Sequence, residues 1–285
     1  TQPPLELFTT PQKAIDLAKL ANDEMAELVL KYPDRFPAAV AHLHQGIRAW
    51  RQRRVGVRPV LRVTRGDLNP ELSDMEGHLR VMDNVGIDVA VLSMAITSED
   101  TQVALEECRI YDDRTADLVR KYPKRFVGLA PIPPLGGKEA FDELKRAVEE
   151  LGLKGVVIRS QVNGLSVDAK ELYPFYERVS ALKVPIFIHP SGVQQGFDIL
   201  NAPYDLGRSI GRELDLIVAT TRLILSGVVD DFSDLKFVLS HKGGGIVAMK
   251  ERIEYHFGTA KAPATRPTHA RNRMPFDQCF DKLYF

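Results

Sequence analysis

Residues 172–190 read LYPFYERVSALKVPIFIHP, and this stretch decides the fold. Leu172 to Leu182 carries apolar residues at three-and-four spacing, the period of an amphipathic helix, whereas Pro185 to His189 is apolar up to its last residue. A strand that reads as an unbroken apolar run is covered on both faces, as in parallel sheets flanked by helices. The same alternation continues in both directions. Strands are predicted over Ile87 to Met94, Phe126 to Pro131, Gly155 to Arg159, Pro185 to His189 and Lys236 to His241. Helices are predicted over Leu72 to Asn84, Val103 to Lys121, Lys138 to Leu151, Leu172 to Leu182, Leu214 to Asp230 and Ile246 to His256. Gly86, Gly152 and Gly155 fall where helices must stop before the next strand. This is the order of βα units around a parallel sheet.

The remaining bounds come from composition. The chain has 285 residues, 38 Lys and Arg against 38 Asp and Glu, 44% hydrophobic and 27% charged residues. That length allows two ordinary domains or a single α/β barrel, since such barrels use about 250 residues on one core. Zero formal charge gives no electrostatic reason to expect nucleic acid or an acidic membrane as partner. No apolar run approaches the roughly 20 residues of a membrane-spanning helix, and the first residues lack the charged-then-apolar order of a signal peptide. Cys108 and Cys279 match no paired-cysteine metal or redox spacing. A reducing compartment, the cytoplasm, is the expected location.

Residues 14 to 36 and 104 to 126 match at an offset of 90, with ten identities in 23 positions. The shared unit is helix, proline stop and strand; two distant copies do not make a solenoid. Arg51 to Pro70 and Ala260 to Pro275 mix Arg, Pro, Gly and Thr without periodicity and read as long loops, which serve either as binding segments or as plain surface.

Four histidines stand at junctions between apolar runs and loops. His42 and His44 close Ala38 to Ala41, and residues two apart on a strand project from one face, so both imidazoles can address one metal ion. His189 ends the run above, and His241 ends Leu235 to Ser240. Carboxyl-terminal strand ends of a parallel sheet converge on the ligand crevice. A single such histidine is more often structural than a ligand; agreement among several strand ends shifts the balance. Lys242-Gly243-Gly244-Gly245 after His241 fits neither the dinucleotide fingerprint nor the P-loop, and close backbone approach is the simpler role.

Taken in order, Val127 to Pro134, Gly152 to Arg159 with Asn163-Gly164, Pro185 to Pro190, Thr221 to Gly227 and Leu239 to Gly245 resemble the decarboxylase branch of the amidohydrolase superfamily. That group contains aminocarboxymuconate-semialdehyde decarboxylase and γ-resorcylate decarboxylase. The resemblance covers residues 70 to 285. It implies a distorted TIM-type (β/α) barrel with a divalent metal, zinc before manganese, at its carboxyl-terminal face. His42, His44 and His189 would be metal ligands, and His241 the catalytic histidine. The family's last strands and its eighth-strand aspartate are not matched, so an incomplete barrel is expected over 42–285. Residues 1–41 would then form a helix-strand extension resembling the internal unit.

The expected activity is metal-dependent, non-oxidative decarboxylation of a small carboxylated aromatic or muconate-like substrate, with the chain assembled as a dimer or tetramer. Arginine is the side chain best shaped to hold a carboxylate in two parallel hydrogen bonds. Arg159, at the end of its strand, is the first candidate; Arg62 and Arg65 follow. Two other readings stay open: a metal-dependent hydrolase of a lactone, ester or amide, and an inactive scaffold or assembly subunit.

Overall fold

The computed structural model describes residues 75–96, 98, 100–191, 200, 206–259, 261, 263–265 and 269–285. These residues belong to two compact units, one comprising 75–92 and Leu118–Val127, the other Ser93–Asp117 and Gly128–Phe285.

In the first unit, helix α1 (Met75–Val85) is followed by strand β1 (Ala90–Leu92), which pairs with β2 (Phe126–Gly128). Helix α2 (Thr101–Lys121) contributes its last turn here. Met75, Met82, Ile87, Ala90, Leu92 and Phe126 form the core, with Leu118, Val119 and Tyr122 packed against it. α1 stops at Gly86, whose φ of 73° favours glycine. Pro123 ends the helical path of α2, and β2 begins three residues later, so the predicted helix-turn-strand unit forms at 104–126. Its counterpart at 14–36 lies outside the described residues.

The second unit is built on a four-stranded parallel sheet in the order β3 (Ala130–Pro131), β4 (Val156–Arg159), β7 (Ile186–His189), β8 (Phe237–Leu239). Register places Arg159 beside His189 and Ile188 beside Leu239. β5 (Gln161–Val162) and β6 (Leu165–Ser166) form a small antiparallel hairpin after β4. Val156, Ile158, Ile186 and Ile188 are buried on the sheet, as their unbroken apolar pattern requires. Helices α3 (Gly137–Lys145, continued by a π turn over Arg146–Glu150), α4 (Tyr173–Leu182), α5 (Arg212–Leu225), α6 (Val228–Asp231) and α7 (Ile246–Phe257) cover it, and α8 (Phe276–Phe280) follows. The helix predicted from Leu214 to Asp230 is two helices, because Gly227 takes φ 86° between α5 and α6. Gly155 is no helix stop either: a Cβ there would lie 2.8 Å from the Leu129 side chain and 3.0 Å from the Pro185 carbonyl, so neighbouring strands need its bareness.

Buried acids lie among the helices, the most enclosed being Asp112 on α2, 0% exposed, and Glu143 on α3, 4% exposed. Glu143 accepts from Arg146 Nε at 2.9 Å and Nη2 at 2.8 Å. At the far edge of the sheet, Tyr284 bridges Val238 in parallel; Leu239 N–H donates to Tyr284 O at 2.8 Å. Among the described residues the sheet does not close into a barrel.

Candidate active site at the carboxyl-terminal strand ends

β7 ends on His189 and β8 leads through Ser240 to His241, so parallel neighbours deliver both imidazoles to one edge of the sheet. Their ring centroids are 5.9 Å apart and nearly perpendicular, at 86°. After β8 the chain makes a tight turn over Ser240–Gly243 in which His241 and Lys242 both take φ 54°. Gly244 is then required by close approach, since a Cβ would sit 2.3 Å from the Glu213 carbonyl oxygen of α5. The glycine run therefore seats the turn against α5, the close backbone approach expected of it.

Hydrogen bonding sets the tautomers. His189 Nδ1 lies 3.0 Å from the Pro190 carbonyl, which can only accept, so Nδ1 carries the proton and Nε2 the lone pair. His241 Nδ1 lies 3.0 Å from Glu213 Oε1, with the same consequence. Burial pushes His189 down to about 4, with the positive charges of Arg212 and Arg159 nearby adding to the effect. It is a neutral imidazole at neutral pH. Burial also lowers His241, against the opposing pull of Glu213.

A neutral histidine that gives its Nδ1 proton to a carbonyl and presents Nε2 is the form that binds a divalent cation. His189 fits that role, although among the described residues no three His, Cys, Asp or Glu side chains assemble into a cation site. His42 and His44, the expected further ligands, lie outside the described residues, as do Arg62 and Arg65.

Arg159 stands level with His189 and donates from Nη2 to Ser191 Oγ at 3.0 Å. It lines a cleft of about 190 Å³ whose walls include Ile132, Pro133, Leu135 and Val162, with Gln161 and Ser191 as polar groups. A guanidinium in a cleft of mixed apolar and polar lining suits a small anion carrying an apolar body.

The sequence reading missed Glu213 and Asp215, both in the first turn of α5. Acidic residues there read as ordinary complements to the helix dipole. Only the tertiary approach of the strand ends shows that one faces His241 and the other gathers the loops after β4 and β7.

The arrangement can be compared with known proteins. Residues 75–284 match the amidohydrolase family. Over 236 residues the chain is 32% identical to the γ-resorcylate decarboxylase of Polaromonas sp. (strain JS666), covering 76% of this chain and 70% of that one. Over 188 residues it is 31% identical to the 2-amino-3-carboxymuconate-6-semialdehyde decarboxylase of Dictyostelium discoideum, covering 65% of this chain and 52% of that protein, so it spans about half the length of that relative. Among solved structures, the dihydroxybenzoic acid decarboxylase from Polaromonas sp. JS666, with bound manganese and the inhibitor 2-nitroresorcinol, superimposes with a TM-score of 0.63 at 29% identity, over 74% of this chain and 66% of that one. Manganese in that neighbour gives no support to the expected preference for zinc. No described helix is long and apolar enough to cross a membrane. With its ordered strand-end motifs and more than half of its length matched, the chain belongs to the amidohydrolase family.

Proposed function

We propose that this chain is a metal-dependent, non-oxidative carboxy-lyase acting on a small carboxylated aromatic. The reading is supported above all by the pairing of His189 and His241 at adjacent strand ends, each with its Nε2 lone pair set by a Nδ1 hydrogen bond, beside the Arg159 cleft. The names of the relatives and the manganese in one neighbour point the same way.

His189, together with His42 and His44, is assigned to the cation. When bound, a divalent ion supplies Lewis acidity toward substrate oxygens. The chain's own residues do the rest. Arg159, with Arg62 and Arg65 as further candidates, holds a carboxylate by charge-assisted hydrogen bonds. Ile132, Pro133, Leu135 and Val162 offer the substrate ring an apolar wall. His241, protonated at Nε2 while Nδ1–H stays on Glu213, gives its proton to the ring carbon that bears the departing carboxylate. The bond to the carboxyl carbon breaks, its electron pair stays on the ring carbon and is captured by that proton, and carbon dioxide leaves.

Zinc and manganese both suit imidazole nitrogen, and elemental analysis of the purified protein decides between them. The domain boundary near 41–42 remains the sequence-based proposal. Two buried free cysteines support a reducing, cytoplasmic location. The exposed Ile210, Leu214, Val218, Val247 and Tyr255 support a homodimer or tetramer, which sedimentation would reveal.

The deciding experiment incubates metal-loaded protein with 2,6-dihydroxybenzoate and follows carbon dioxide. His189→Ala is expected to lose bound metal; His241→Ala should keep metal and lose turnover. Full activity in both variants overturns the site. A product heavier by one water, from a lactone or amide, supports the hydrolase reading instead.

A further inference from the structure

Asp215 is buried at the start of α5, 8% exposed, and the proton transfer above makes no use of it. Its carboxylate gathers three groups from two strand ends. Oδ2 accepts from the Ser160 hydroxyl and, at 2.7 Å, from the Ser191 backbone N–H; Oδ1 accepts from the Gln161 side-chain amide at 3.1 Å. Ser160 and Gln161 directly follow Arg159, and Ser191 stands two residues beyond His189. The Ser160 N–H closes the arrangement by donating to the His189 carbonyl at 2.8 Å.

A carboxylate removed from water costs stability unless donors satisfy it, and an apolar side chain would fill the same space without that cost. What the acid adds is fixed geometry, because its oxygens stay satisfied only while the three donors keep their places. The consequence reaches the cleft in one further bond. Ser191, held on Asp215 by its backbone, accepts from Arg159 Nη2 through its hydroxyl at 3.0 Å. Bidentate recognition of a carboxylate depends on the plane and direction of the guanidinium, so what fixes Ser191 also aims Arg159.

We propose that Asp215 is a positioning residue for substrate binding, acting through Ser191 to orient the Arg159 guanidinium toward the substrate's carboxylate. The inference rests on Arg159 being the carboxylate clamp of the proposed reaction. Such a clamp holds the charge that the bound substrate carries and carbon dioxide does not, so its disorder raises KM without lowering kcat. A merely structural acid would instead lower stability or active-site content without that split.

The test compares Asp215→Ala, Asp215→Asn and Ser191→Ala in the full metal-loaded chain with 2,6-dihydroxybenzoate. Asp215→Ala is expected to raise KM about 10-fold, with kcat within about 2-fold and metal content unchanged. Asp215→Asn keeps an oxygen for the Ser191 N–H and should restore KM to near the wild-type value. Ser191→Ala should raise KM comparably and add little on top of Asp215→Ala, since both cut one relay. An unchanged KM in Asp215→Ala overturns the proposal, as does loss of metal with falling kcat, which would place the acid in the service of His189. Should Asp215→Ala fail to fold, Ser191→Ala decides alone by the same KM criterion. If the wild-type chain releases no carbon dioxide, the decarboxylase reading fails on its own, and the relay is read from benzoate titration: a Kd about 10-fold weaker in the variant sustains it, and an equal Kd sinks it.

Discussion

Arg159 and His189 stand side by side in neighbouring strands, so one register position carries a cationic fork and a neutral imidazole. Lysine would keep the charge and lose the planar pair of donors. Arg159→Lys is therefore expected to raise KM for a carboxylated aromatic about 10-fold or more, measured by steady-state kinetics, with metal content unaltered. Asp112 makes a different demand. Burial first, then the nearby Glu143 carboxylate, push its carboxyl up to about 9. In the unfolded chain an aspartate titrates near about 3.9. Between these values the folded state holds a proton that the unfolded chain has released, so stability falls as pH rises through that window. Asp112→Asn removes the titration. Its melting temperature should drop less between pH 5 and pH 8 than that of the wild type, as read by circular dichroism; an equal drop would show that Asp112 is not the source. His189, His241 and Arg159 were legible in the sequence because each directly terminates or follows an apolar run, a position defined locally. Glu213, Asp215 and Ser191 were not, because their partners lie 28, 55 and 32 residues away and depend on how strands and helix meet.

Among the secondary-structure elements, the predicted strands recur as shorter segments inside the expected ranges; β4 is buried on both faces as its all-apolar pattern predicts, whereas β1, β2, β7 and β8 alternate buried with half-buried residues. Helix periods were equally readable in α2, α3, α4 and α5, because each buries one apolar stripe in the core, whereas α7 buries only Ile246. What periodicity could not show was the break between α5 and α6. Apolar spacing runs on through Gly227, and only its φ of 86° interrupts the helix. Glycine roles were legible as positions and not as causes: Gly155 permits strand approach, whereas Gly152, at φ 77°, turns the chain. Gly244 combines both demands, with φ 66° and the Glu213 carbonyl 2.3 Å from any added Cβ. Gly244→Ala should lower stability by about 2–4 kcal/mol in urea titration and, by displacing Glu213, reduce turnover in the fraction that folds. Unchanged stability and activity would mean the turn does not depend on that contact.

On the scale of the whole chain, family membership explains the order of strands, the helices over the sheet and the convergence of histidines at one edge. The second unit has an extensive apolar core of its own, reaching from Leu105 to Leu283. Removing metal should therefore abolish turnover and spare the fold: dialysis against a chelator is expected to leave the far-ultraviolet circular dichroism intact, and added manganese or zinc to restore carbon dioxide release. Collapse of the spectrum on chelation would make the cation structural. The turn at His241 has a wider consequence. Two successive residues with side chains occupy left-handed backbone there, each costing about 1–2 kcal/mol relative to the right-handed form. Robustness to heat and accuracy of the proposed proton donor thus compete at a single bend. A variant selected only for survival at high temperature would gain by relaxing that bend, and its surplus of durability would come with a slackened imidazole.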